Sequence, residues 1–456
     1  MATVGPTALR ARFATTLSEL YGREVPAYRT LVEVAHQVNA DVAARAGADA
    51  ERLGSLDRVT AERHGAIRVG TPAELAQVAR VFAAMGMHPT GYYDLRDAAA
   101  SSVPVVSTAF RPLDADELAA NPFRVFTSVL AATDRRFFSA DLSARLQTFL
   151  ARRRLFPGGL LALADRAVAD GGLADPDAAT FLRLAAASFA LSSEPIDRAW
   201  YRELEQVSAV AADIGGVTST HVNHLTPRVL DIDALYAAMS ARGIAMIDAI
   251  QGPPRWAGPD VLLRQTSFRA LAEPRRFVDA DGSVVEGSLR VRFGEVEARG
   301  IALTRAGRAR YDAAMSAIEG LDGASDAAAV WAQHFPATEA ELWADELGIY
   351  TVTAVTDRAG GAEPHGSTAD LLRDGWLRAD PVVYEDFLPR SAAGIFQSNL
   401  SDAGSKDTEE TGAALDADWL EGVLDRPLHD PFDIYAAQHR ESLVVARRQL
   451  GLPTLC

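Results

Sequence analysis

Apolar residues near the start of the chain recur at three- and four-residue steps. Leu17, Leu20, Tyr21, Tyr28, Leu31, Val32 and Ala35 follow this rhythm, with polar residues between them. That period predicts amphipathic helix over 6–53, and Gly22 and Pro26 divide it into two. The pattern then changes to the short extended run Arg63–Gly70. Thr71-Pro72-Ala73-Glu74 follows, with threonine at the N-cap, proline at the first helical position and an acid in the first turn. The predicted helix runs to about Met85 and stops near Gly86, and Gly91–Leu95 is extended again. These three pieces predict a βαβ unit.

A similar unit is predicted over 220–250. A strand His221–Arg228 leads to an N-cap at Asp231, a helix over Ala234–Ser240 stops at Gly243, and a strand Ile244–Ile250 follows. The stretch 112–215 reads as largely helical, through Leu142–Leu155, Leu160–Ala169 and Asp177–Leu191. It is expected to cover one sheet face or a homodimer surface. Asp279-Ala280-Asp281-Gly282-Ser283 predicts a hairpin turn into strands 284–293 and 295–303. Helix returns over 308–348 and 427–450. The small, polar and acidic stretch Ser401–Asp418 is expected to be a mobile surface loop. The expected organisation is a single catalytic domain, 1–456. It comprises a helical segment 1–60, a first βαβ unit 61–110, a helical insertion 111–215, a second β unit 216–305 and a helical and loop part 306–456.

Composition narrows the function. The 456 residues are 48% hydrophobic, ample for a large core. The net charge of −16 argues against a nucleic-acid partner. Short basic clusters such as Arg152-Arg153-Arg154 are interleaved with apolar residues and read as solvated faces. The single cysteine, Cys456, excludes a thiolate metal site and an internal disulfide. No signal-like segment and no membrane-length apolar run is read, so a cytoplasmic protein without a membrane partner is expected.

The candidate chemistry lies on the predicted strands. His64 and Arg68, four apart, share a strand face about 13 Å apart; an imidazole and a guanidinium there suit a metal with an anionic substrate, since arginine grips carboxylates with two parallel bonds. Taken alone, a surface arginine and a structural histidine are the commoner reading. His221 and His224, three apart, cannot share a face under strict alternation, so one is a candidate ligand and the other packs or supports the ligands from behind. Glu295 and Glu297, two apart, face the same side. A carboxylate with two imidazoles is the donor set of non-haem Fe(II) oxygenases, although Arg292 and Arg299 also suit a salt-bridged edge strand. Tyr384–Phe396 reads either as an anion-capping loop or as an ordinary loop. No phosphate loop, dinucleotide fingerprint or nucleophile elbow is present.

These residues resemble known families. His224-Leu225-Thr226-Pro227-Arg228-Val229-Leu230-Asp231 looks like a first strand of the vicinal oxygen chelate superfamily. Glu295-Val296-Glu297-Ala298-Arg299 is similar to the metal-glutamate strand of 4-hydroxyphenylpyruvate dioxygenase. More closely, His64-Gly65-Ala66-Ile67-Arg68, Asn223-His224, Phe293-Gly294-Glu295 and Phe387-Leu388-Pro389 through Phe396 resemble the 2-oxoadipate dioxygenase/decarboxylase family, also called hydroxyglutarate synthase. The likeness spans residues 60 to 400. It implies an α+β fold of vicinal oxygen chelate-like βαβββ repeats, forming a curved central sheet around a metal site within a large helical layer. It implies an Fe(2+) enzyme that converts 2-oxoadipate and O2 to 2-hydroxyglutarate and CO2 in lysine catabolism. His64, His224 and Glu295 would match the metal ligands, with Glu297 the competing position. Arg68 would match the arginine that binds the distal carboxylate, and Arg390 and Ser391 the loop that contacts substrate. The family pattern has a small apolar residue where Arg390 stands, which leaves the diacid open. Two other readings share the fold: a divalent-metal isomerase or lyase with glutamate as base, and a non-catalytic 2-oxo-acid-binding protein.

Overall fold

Five strands make the central sheet of the computed structural model, which describes residues 3–97, 103–290, 292–321, 324–357, 363–388, 406–407 and 409–453. They are β1 (Arg63–Val69), β2 (His88–Asp94), β3 (Val105–Arg111), β4 (Arg124–Leu130) and β5 (Val222–Pro227), in the order β2-β3-β4-β1-β5. β1 runs parallel to β4 and antiparallel to β5. All seven residues of β1 are buried, as are those of β3 and β4, so the sheet is covered on both faces. The fold is mixed α and β.

Alternation assigns the two faces. Ile67, Val69, Val106, Phe110, Val125, Val129 and Leu225 point outward into the larger apolar cluster. Helices α1 (Pro6–Glu24), α2 (Pro26–Ala46) and α3 (Pro72–Ala83) supply Phe13, Leu17, Leu31, Val78 and Phe82 to that cluster. Ala66, Tyr93, Ala109 and Phe126 face inward, toward α4 (Ala140–Leu150), α5 (Ala209–Gly215), Phe293 and Phe387. The inner face carries His64 and Arg68 on either side of Ala66.

The helix start at Thr71 forms as read. Glu74 N–H donates to Thr71 Oγ1 at 3.1 Å, and Thr71 N–H to the Glu74 carboxylate at 3.2 Å. A second unit follows β5. Helix α6 (Ile232–Ala241) is capped by Asp231, whose carboxylate accepts from Ala234 N–H at 2.9 Å. Strand β6 (Leu263–Phe268) pairs antiparallel with β9 (Gly294–Arg299), and β9 touches the end of β5 through an Arg228–Glu297 bridge. The hairpin β7 (Glu273–Val278) and β8 (Val284–Leu289) is inserted between them. Both units therefore run strand, helix, then further strands, and in both the last strand lies beside the first.

Three elements differ from the sequence reading. The stretch Ile244–Ile250 is not a strand: it meets β6 only through isolated bridges at Met246 and Gln251. The turn at Asp279–Ser283 joins β7 to β8, while 294–299 pairs with β6 instead. Strand β4 lies in the stretch read as helical. Its sequence Arg-Val-Phe-Thr-Ser-Val-Leu is β-branched and aromatic, the composition of a covered strand. The helical periods on its C-terminal side, in α4 and beyond, dominate any long window. In the expected loop Ser401–Asp418, 401–405 and 408 lie outside the described residues, 406–407 and 409–416 are irregular, and 417–418 begin a helix over Ala417–Leu424. Among the described residues no helix is long and apolar enough to cross a membrane.

Candidate metal centre

His64 on β1, His224 on β5 and Glu295 on β9 converge on the inner face. One donor atom from each lies within 4.8 Å of the others, and all three residues are buried. Glu295 Oε1 is 3.9 Å from His64 Nε2, and Oε2 is 3.4 Å from His224 Nε2. The imidazole rings stand edge to face, with centroids 5.4 Å apart.

The outward nitrogens of both rings have their own neighbours. His224 Nδ1 is 3.0 Å from Thr226 Oγ1. Glu297 Oε2 is 3.1 Å from His64 Nδ1, although off the line of a straight hydrogen bond. A proton on each Nδ1 leaves both Nε2 lone pairs facing the Glu295 oxygens; this tautomer follows from the neighbours. Lone pairs facing carboxylate oxygens repel unless a proton or cation lies between them.

The electrostatics agree. Burial pushes the Glu295 carboxyl well above its usual range, and Glu297 adds to the push. Burial, then His64 and Arg68, takes His224 well below the ordinary histidine value. Burial also lowers His64, outweighing the pull of Glu297. Glu297 goes the other way: burial opposes its charge, but Arg299, His64 and Arg124 hold it well below the usual carboxylate range. Two neutral imidazoles facing a carboxylate that lacks its own cation is a donor set matched to a divalent ion.

A buried ionic lattice supports this end. Arg299 grips Glu297 with bonds of 2.6 and 3.0 Å. Arg124 reaches Glu62, Glu385 and, at 3.5 Å, Glu297. Glu62 also takes Arg228 at 3.0 Å, and Glu385 takes Arg58. Asp386 accepts two bonds from Arg111, at 2.8 and 3.0 Å, and the Tyr435 hydroxyl. The segment 385–386 is thus fixed on both sides, which places the next residue, Phe387. Its ring lies 5.0 Å from the His64 ring and 5.0 Å from Phe126. Phe293 stacks on His224 at 5.4 Å. Phe387 also borders a pocket of about 550 Å³ walled by Tyr93, Tyr384 and Tyr435.

Glu295 follows a glycine with no room to spare: a Cβ at Gly294 would meet the Phe268 ring at 1.8 Å. The Tyr21 hydroxyl lies 3.0 Å from Asn223 O and 2.8 Å from Phe293 O, bridging the backbones that carry His224 and Glu295.

Arg68 lies farther along the same face, 3% exposed, with Nη1 2.5 Å from Asp213 Oδ2. Asn223 Nδ2 donates to the same oxygen at 2.9 Å, and His221 Nε2 is 3.4 Å from Asp213 Oδ1. Burial takes His221 down to about 4 against the pull of Asp213, so at neutral pH the cation facing Asp213 is Arg68. The structure brings His64, His224 and Glu295 together, puts Glu297 behind His64, and leaves His221 beside Asp213. Arg390 and Ser391 lie outside the described residues. Asp213 and Arg124 were not read from the sequence, and Phe387 was read only as part of a family motif, not as a neighbour of His64. Asp213 is a single acid within the alanine-rich helix α5, and its only sequence signal is a charge at a buried helical position.

The chain matches the family model described as 2-oxoadipate dioxygenase/decarboxylase over residues 13–399. The 2-oxoadipate dioxygenase/decarboxylase of Mycobacterium tuberculosis is 60% identical over 433 residues, 95% of this chain and 97% of the relative. That of Pseudomonas putida is 38% identical over 469 residues, 99% of each. The crystal structure of the Pseudomonas putida hydroxyglutarate synthase in complex with 2-oxoadipate superposes with a TM-score of 0.84 at 37% identity, covering 99% of this chain and 100% of that one.

Proposed function

The chain belongs to the 2-oxoadipate dioxygenase/decarboxylase family, and from that premise we propose that it converts 2-oxoadipate and O2 to 2-hydroxyglutarate and CO2. The atoms balance. C1 of the 2-oxo acid leaves as CO2. One oxygen atom completes the new carboxylate at the former C2, and the other becomes the hydroxyl on the adjacent carbon. The paired units fit vicinal oxygen chelate-like repeats around the centre, and their pairing supports that finer reading of the fold.

His64, His224 and Glu295 would hold Fe(2+), whose open positions and redox chemistry serve the substrate and dioxygen. The observation that carries this reading is the buried cluster of two imidazole nitrogens and one carboxylate oxygen within 4.8 Å. The chain's own residues supply the rest. Glu297 and Thr226 keep a proton on each Nδ1, so each Nε2 is free to donate its lone pair. Phe126, Phe293 and Phe387 exclude water around the imidazoles. Arg68 receives the distal carboxylate of the diacid, and a buried guanidinium penalises acids without that group. Arg390 and Ser391 are further proposed contacts to substrate.

The test is dioxygen uptake by purified, iron-loaded protein supplied with 2-oxoadipate. One O2 consumed per CO2 and 2-hydroxyglutarate is expected. Turnover under strict anaerobiosis would exclude the reaction and favour an isomerase or lyase.

A further inference from the structure

Asn223 and His224 are consecutive, yet both side chains serve the inner face. In a regular strand they would point to opposite sides. An extra residue in β5 accounts for it: His224 pairs with Ala66 and Val222 with Ile67, so Asn223 is bulged out of register. The bulge brings the Asn223 amide onto Asp213 Oδ2, the oxygen that also accepts Arg68 Nη1. Asn223 is 1% exposed, and its Oδ1 has no hydrogen-bond partner among the described residues. A side chain placed only to close its own bonds would not leave that acceptor orphaned. One peptide unit therefore separates an imidazole of the metal cluster from the residue that fixes the counter-ion of Arg68.

We propose that Asp213 and Asn223 are positioning residues that set which length of 2-oxo diacid fits, by holding the Arg68 guanidinium at a fixed distance from the metal cluster. The inference rests on the reading of Arg68 as the distal-carboxylate partner. An arginine stem is flexible and must be anchored before it can measure length. Reactive geometry is sensitive on this scale, a misplacement of about 1 Å costing roughly a hundredfold. One methylene more or less in the acid is a change of that size.

The experiment compares kcat and KM for straight-chain 2-oxo diacids of five, six and seven carbons, and for the six-carbon monoacid 2-oxohexanoate. Asn223→Ala, Asp213→Asn and Arg68→Ala are each measured, with thermal melts and calorimetric titration of the metal-free protein with Fe(2+) under argon. Asn223→Ala is expected to raise KM for the preferred diacid about tenfold, the size of one hydrogen bond to a charged group. It should flatten the preference among the three diacids, change kcat less than KM, and retain the metal affinity. An unchanged length profile overturns the proposal, as does an equal loss on every acid including the monoacid. If Asp213→Asn does not fold, Asn223→Ala decides alone, since it leaves the Arg68–Asp213 pair in place. Arg68→Ala separates the two levels. If it keeps the preference for diacid over monoacid, the reading of Arg68 fails. If it erases that preference while Asn223→Ala keeps the length profile, only the positioning role fails.

Discussion

The two units joined through β1 and β5 share their strand order but not the chemistry of their closing strands. Each first strand gives one histidine to the centre. The closing strand of the first unit, β4, turns Arg124, Phe126 and Ser128 toward the inner face, and that of the second, β9, turns Glu295 and Glu297. β9 thus supplies two anions together with Arg299, which grips Glu297, while β4 supplies a cation and an apolar wall. Arg124 binds Glu62, just before β1, and Glu385, from the C-terminal part, and reaches Glu297 on β9 at 3.5 Å, so the closing strand of the first unit gathers carboxylates from three parts of the chain. Repeating a backbone arrangement does not repeat its function: the proposed metal ligands include only one carboxylate, and the opposite strand is free to stabilise its neighbourhood.

The sharpest way to break this contrast is to remove the cation. Arg124→Met leaves Glu62 and Glu385 short of a buried counter-charge, and should cost roughly 3–5 kcal/mol of stability in a denaturant melt. A wild-type midpoint would show that the lattice is not held from β4. Acid tests the same lattice without mutation. Burial would raise Glu62, but Arg124, Arg228, Arg58 and Arg299 outweigh it and hold it at about 2, against an ordinary 4.5. Because the folded value is depressed, its contribution is complete above 4.5 and fades as the pH falls toward 2. The loss should be on the order of 3 kcal/mol. Urea midpoints followed down the acid range check this, and in Arg124→Met the acid dependence should shrink. The smallest effect probes β9. Glu297→Gln should weaken iron binding about 10–100-fold in a chelator competition, whereas Glu295→Ala should lose the metal outright. A Glu297 variant hit harder than the Glu295 variant would exchange the two roles.

Much of the scaffold was legible because its signals are local. The capping box at Thr71–Glu74, the cap at Asp231 and the helix break at Gly22–Pro26 each depend on residues within one turn. The histidine-bearing strands were legible for the same reason. Strand β4 was not, because its helical neighbours set the period of the region. Nor could the choice between Glu295 and Glu297 be read, since residues two apart share a face and only the third dimension says which meets a second imidazole. Strict alternation also misled at His221–His224, because the bulge at Asn223 adds a residue that no periodicity reports.

That irregularity limits how the enzyme can diverge. Deleting one residue near position 223 would restore ideal pleating and turn either the amide or the imidazole to the far side of the sheet. Inserting one would do comparable harm. Descendants of this chain can retune the pocket by exchanging side chains, but the length of this one strand is closed to them.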